Sequence, residues 1–154
     1  MTIDKHIRIA HIRIAEALAF RDRILRANLP AGGSELRSDR KPDTLHLCAL
    51  ARNELVGITT IAREDLTHEQ RKDVWRLCGM AVDAGWRGKG LGTALAERCI
   101  DHAKLAAGRM VWCSARESAV GFYRSIGFEL FGEFYDRTDF IGERYTRMVR
   151  DLCN

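Results

Sequence analysis

Proline is scarce in this chain, with two in 154 residues, and no stretch is dominated by proline, glycine and serine together. Long disordered segments are therefore not expected. No window approaches the roughly eighteen uninterrupted apolar residues of a membrane-spanning helix. The opening MTIDKHIRIAHIRIAEAL sets charges among its apolar positions and has no small-residue cleavage site, which predicts a protein that stays in the cytoplasm without a membrane partner. The five cysteines (Cys48, Cys78, Cys99, Cys113, Cys153) are odd in number and lack a Cys-x-x-Cys pair, and the histidines at 6, 11, 46, 68 and 102 lack ligand spacing. These absences predict reduced thiols, packed mostly as small hydrophobes, and no metal site. Charge is not massed either: 25 Lys and Arg against 21 Asp and Glu give a net +4, spread along the chain. That surplus favours an anionic ligand without choosing one, and nucleic acid is not the expected partner.

What is present reads as a single domain, residues 1–154, of α/β (α+β) type. Isoleucines at 7, 9, 12 and 14 predict a strand entering a helix over 15–28. NLPAGGSELRSDRKPD, with both prolines, predicts a loop. TLHLCALARNELVGITTIAR predicts a hairpin turning at Asn53-Glu54, and VWRLCGMAV a further strand. A helical stripe follows from Leu91 to Ala106, closed by Gly108. RMVWCSA, ESAVGFYRSI, FELFGEFY and ERYTRMVRDL then predict strand, short helix, strand and strand. Hairpins supply antiparallel pairs and strand-helix-strand units parallel ones, so one mixed sheet flanked by helices is expected.

The strand-to-helix junction MAVDAGWRGKGLGTAL carries the chemistry. Gly88, Gly90 and Gly92 remove side chains from the backbone and permit the positive φ that lets N–H groups converge on an anion. The helix starting near Leu91 adds uncapped donors and its dipole, with Arg87 and Lys89 at the rim. A phosphate or pyrophosphate is the expected ligand. A Walker A loop is excluded because Leu91 follows Gly90, and a dinucleotide fingerprint because Thr93 stands where its third glycine belongs. The bland alternative is a tight turn with solubilising cations.

VDAGWRGKGLGTAL resembles the acyl-CoA-binding motif of the GNAT acyltransferases, Arg/Gln-x-x-Gly-x-Gly/Ala, filled by Arg87, Gly90 and Gly92. AVGFYRSIGF, Ala119 to Phe128, resembles the family's second signature. The match is specific from about Trp75 to Phe128. The resemblance implies a mostly antiparallel mixed sheet splayed between two parallel strands, with pantetheine in the opening. It implies main-chain pairing at Met80 and Val82 with Ala81 between them, and pyrophosphate on Arg87, Gly88, Lys89, Gly90, Leu91 and Gly92 with Thr93 beside it. Ala119 and Phe122 then lie over the thioester end.

By the same resemblance Tyr123 is the general acid for the leaving thiolate. A phenol of pKa about 10 protonating a thiolate near 8.5 works against only about 2 kcal/mol; the alternative is a packed aromatic. Two positions depart from the family. Cys78-Gly79 stands where many relatives carry a Glu, so no general base is assigned among Glu54, Asp73, Asp83, Glu129 and Glu133. Arg116 replaces a cofactor-contacting Asn and could equally touch cofactor, touch an acidic substrate or cap a helix. Freeing a lysine-like amine near neutral pH costs about 4 kcal/mol and an α-amine about half a kcal/mol, which favours a low-pKa acceptor if water relays the proton.

The expected protein is an acetyl-CoA-dependent N-acetyltransferase acting by direct transfer to an amine of a small molecule or peptide, with a second copy of the chain as a further partner. Residues 131–148 and the loop from Pro30 to Pro42 are the expected acceptor wall. Two rivals stay open: a non-catalytic acyl-CoA sensor of the same fold, and an RNA-directed acyltransferase.

Overall fold

Apolar residues alternate along the strands and recur every third or fourth position along the main helix, and the two patterns meet on one sheet. The structure, a computed structural model, describes residues 6–25, 34–67, 69, 71–137 and 140–153. In chain order it forms β1 (Ile7–His11), α1 (Ile14–Leu25), β2 (Leu45–Ala51), β3 (Glu54–Arg63), β4 (Val74–Val82), α2 (Leu91–Leu105), β5 (Met110–Arg116), α3 (Val120–Ser125), β6 (Glu129–Arg137) and β7 (Phe140–Asp151). Single 3-10 turns at Ala84–Trp86 and Glu117–Ala119 precede α2 and α3. Residues 26–28 of the expected first helix, and Pro30 of the expected loop, lie outside the described residues.

The sheet runs β1-β2-β3-β4-β5-β7-β6, and β4–β5 is its one parallel pair among the described residues. This is the mixed α/β, mostly antiparallel architecture expected, with helices on both faces. The β2–β3 hairpin turns at Arg52 and Asn53, both at positive φ (51° and 68°), one residue earlier than expected. A two-residue turn of that hand matches strand twist, and Asn tolerates it well.

Alternation on β2 divides the core. Leu47, Ala49 and Ala51 join α2 residues Leu91, Leu95, Ala96, Cys99, Ile100 and Ala103 on one face. Cys48 joins Phe20 of α1, Ile58 and Ala81 on the other. Each fully buried leucine contributes about 1.5–3 kcal/mol, so α2 owes its stability to this face more than to helix propensity. Its C-terminus closes at Gly108 as expected, with one added detail. Ala107, not Gly108, takes the left-handed conformation (φ 60°), while Gly108 N–H donates to Ala103 O at 2.7 Å. Together with Ala107 N–H to Lys104 O this is a Schellman closure. Gly108 is required for space, since a Cβ there would lie 2.9 Å from Trp75.

Two features of β4 position the site. Its pairing with β5 covers only Val74, Trp75 and Arg76, opposite Met110, Val111 and Trp112. Beyond Arg76, β4 stays with β3 while β5 continues along β7, and the two parallel strands part. On the β3 side the register slips between Ile58 and Thr60, with Gly79 at φ +63° as the extra residue of a bulge.

Candidate active site

The parted strands open a cleft of about 830 Å³ running between the two faces of the sheet. Every residue expected at the site lines it except Ala81 and Lys89. Ala81 is buried against Phe20 and Ile58 under α1, the face opposite to Leu77. Lys89 instead places its ammonium 5.3 Å above the Trp86 ring, and Trp86 is a cleft wall.

The glycine turn forms one end. Gly88 and Gly90 take positive φ (74° and 84°), and Gly90 is the N-cap of α2 with no side-chain capping bond. The first-turn N–H groups of a fifteen-residue helix are thereby left uncapped beside the cleft. Gly92 departs from expectation: it lies inside α2, outside the positive-φ set, and serves close packing. A Cβ on it would meet Phe122 Cζ at 3.3 Å. Arg87 is exposed and folds back, its Nε donating to Val82 O at 3.1 Å. Thr93 is exposed at the same helix end.

Tyr123 stands at the middle of the cleft, 8% exposed, with edge contacts to Phe122 (5.0 Å) and Phe128 (5.6 Å). Among the described residues its hydroxyl has no hydrogen-bond partner, yet it is not sealed from the cleft. Burial, reinforced by the Cys113 and Cys78 thiols, holds this hydroxyl far above the usual phenol range, against a weaker pull from Arg116. Cys78 opens in part onto the cleft, but burial pushes its thiol to about 11, and Cys113 to about 12. Thiols held protonated in this way are poor nucleophiles.

The far end lies on the α1 face and is built from side chains that sequence reading did not single out. Arg21 of α1, 1% exposed, donates to the Asp39 carboxylate at 2.7 and 3.0 Å, to Thr60 Oγ1 at 2.9 Å and to Ser34 O at 3.1 Å. His46 joins the network through Thr60 Oγ1 at 2.8 Å and Asp39 O at 3.0 Å. A Cβ at position 79 would stand 2.5 Å from Arg21 Nε, so this arginine packs directly on the bulge and Gly79 is the residue that lets it. The one clue in the sequence was an arginine sitting in the apolar stripe Ala17, Phe20, Ile24. Arg76, with Nη1 on Glu64 Oε2 at 3.0 Å, and Ser114, which accepts from the Tyr135 hydroxyl at 3.2 Å, complete this end with Tyr145. Of the expected acceptor wall, Ser34 and Leu36 of the loop and Tyr145 of β7 line the cleft; Pro30 and residues 138–139 lie outside the described residues.

Among the described residues no group of three His, Cys, Asp or Glu side chains could hold a metal, and no helix is long and apolar enough to cross a membrane.

Comparison with known proteins places this geometry. The family model described as "Acetyltransferase (GNAT) family" matches residues 12–128. The uncharacterized N-acetyltransferase YitI of Bacillus subtilis is 25% identical over 131 residues, 84% of this chain and 87% of its own. Escherichia coli ElaA superposes with a TM-score of 0.74 at 19% identity, over 94% of this chain and 98% of its own. An aminoglycoside 6'-N-acetyltransferase complexed with coenzyme A gives 0.70 at 14%, over 96% and 98%. These two likenesses speak for the fold. The family match takes in the parting strands, the glycine turn and the helix of Tyr123 together, and on that ground the chain belongs to the GNAT acetyltransferase family.

Proposed function

We propose that this protein transfers an acetyl group from acetyl-CoA to a primary amine, directly, within a ternary complex. The single observation that carries the reading is the parting of β4 from β5 after Arg76, which leaves the Leu77–Val82 edge without a strand partner on the cleft side and leads it into an uncapped helix N-terminus. An extended ligand with amide groups can add to such an edge as a strand would, around Met80 and Val82. The turn from Arg87 to Gly92 suits a diphosphate at the ligand's far end: two positive-φ glycines, orphan N–H groups and the Arg87 cation converge there. Thr93, Ala119 and Phe122 flank this path.

Bound acetyl-CoA supplies an activated thioester; the chain's residues do the rest. The β4 backbone at the bulge, braced by Arg21, offers main-chain N–H groups to the carbonyl oxygen as it becomes anionic. Tyr123, unbonded and held protonated by its burial, gives its proton to the departing sulfur as the carbon–sulfur bond breaks and the nitrogen–carbon bond forms. The amine's surplus proton passes to water, because no Asp or Glu among the described residues lines the cleft.

Calorimetry with coenzyme A and thiol release from acetyl-CoA over an amine panel test this reading. Binding with amine-stimulated release is the expected result. No heat at millimolar coenzyme A would sink it, and binding without release from any amine would make the chain a binding module instead.

A further inference from the structure

The cleft is lined by four arginines, Arg21, Arg76, Arg87 and Arg116, and by no carboxylate among the described residues. These cations do not serve one anion. Arg76 precedes Val82 by six residues of extended strand, which places it about 20 Å from the glycine turn where Arg87 stands. Arg21 is already closed by Asp39, Thr60 and Ser34 and braces the bulge. Arg76 is different. Among the described residues it makes one hydrogen bond, the ion pair with the Glu64 carboxylate at 3.0 Å, while its Nε, like that of Arg21, is buried without a partner.

Its guanidinium is nevertheless held on several sides. It lies 4.8 Å over the Trp112 ring, and that ring's Nε1 donates to Glu64 O at 2.7 Å. Ser38 Oγ fixes the other Glu64 oxygen at 2.8 Å. Glu64 itself is not a cleft wall. A planar fork pre-oriented by its Glu64 ion pair, and still carrying unpartnered Nη donors, can accept a second carboxylate. The same face continues along β5 through Ser114 to Arg116, and Arg116 also draws on both Tyr123 and Glu143 electrostatically. Acceptors with several ammonium groups need the opposite lining.

We propose that the acceptor is a primary amine that itself carries a carboxylate, seated on Arg76 with its amine directed toward Tyr123; this rests on the acetyl-transfer reading above. Arg76 is then the residue that sets acceptor specificity, and polyamines and other polycations are excluded.

The test uses purified protein saturated with acetyl-CoA and matched acceptors: amino acids, their carboxamides, and spermidine. The expected result is a kcat/KM at least about tenfold higher for the carboxylate than for its carboxamide, with spermidine lowest. Arg76→Gln should bring the pair to within about twofold by raising KM for the carboxylate, while KM for acetyl-CoA moves by less than about twofold. Arg76→Lys, which keeps the charge, should retain part of the preference. Equal turnover of the pair by the unaltered protein, preference for spermidine, or an unchanged ratio in Arg76→Gln would each overturn the proposal. Where no acceptor turns over, calorimetry of N-acetyl amino acids and their amides on the coenzyme A complex decides it, and absence of carboxylate-dependent binding overturns it. Failure to bind coenzyme A at all counts against acetyl transfer itself, whereas coenzyme A binding with indifferent acceptors counts against this inference alone.

Discussion

The two ends of the cleft are made of different material. At the glycine turn the working groups are main-chain N–H donors and a strand edge, and side chains are chiefly kept out of the way. At the α1 end the working groups are side chains gathered from α1, the loop after it, β4, β5 and β7, locked by one buried ion pair, Arg21–Asp39, and one part-buried pair, Arg76–Glu64. A backbone site depends on conformation and survives changes of side chain; a side-chain site depends on partners and fails when one is lost.

That difference is sharpest in stability. Removing the Asp39 carboxylate leaves Arg21 charged and sealed in the interior, so Asp39→Ala should cost about 3–5 kcal/mol in urea unfolding. Gly88→Ala, which forces a side chain into positive φ but meets nothing within 4 Å, should cost about 1–2 kcal/mol. The double change Arg21→Met with Asp39→Leu should recover more than half of the lost stability yet leave the Gly79 bulge unbraced, so acetyl transfer stays depressed. Recovery of both would show that Arg21 supports the fold and not the bulge.

Between the two ends stands Tyr123. Tyr123→Phe keeps the ring contacts with Phe122 and Phe128 and removes only the hydroxyl. Turnover should fall about a hundredfold while coenzyme A affinity, measured by calorimetry, holds within about twofold. A loss of affinity of similar size would make the hydroxyl a binding group.

The contrast also explains what could be read from the sequence. The turn is a local pattern, so Arg87, Gly88, Gly90 and the start of α2 at Leu91 were legible from spacing, and the element order followed from periodicity. One detail there was misjudged because it depends on packing: Gly92 serves its contact with Phe122, not a positive φ; at the other end of α2 the left-handed Ala107 is imposed by the fold against its preference and has no signal in the sequence. The α1 end was nearly illegible. Arg21 and Asp39, or Arg76 and Glu64, come together only when α1, the loop after it and β4 are assembled, and a buried arginine has the same letter as a solvated one.

A milder change tests whether the cationic turn acts independently of the acceptor end. Arg87 is exposed and contributes charge in a solvated setting, so Arg87→Gln should raise KM for acetyl-CoA about five- to tenfold, less at high salt, with acceptor KM unmoved. An equal rise in acceptor KM would mean that the two ends are not separable.

The smallest expected effect is on pH dependence. Among the described residues that line the cleft there is no Asp, Glu, His or Lys; the titratable groups besides arginine are Tyr123, Tyr145 and Cys78. Burial moves the Tyr123 hydroxyl upward and puts the Cys78 thiol at about 11, so both stay protonated through neutral and mildly alkaline solution. A raised phenol pKa preserves the acid form, and any decline from its ionisation is displaced above about pH 10. The rise of kcat/KM with pH then belongs to the acceptor amine, which must lose its proton before attack. Measured between about pH 6 and 9.5 with two acceptors whose amines differ by about one pKa unit, the midpoint should move by about one unit between them. A midpoint that stays fixed would reveal a protein base at the α1 end, and that end would then hold a proton acceptor as well as a seat for the substrate.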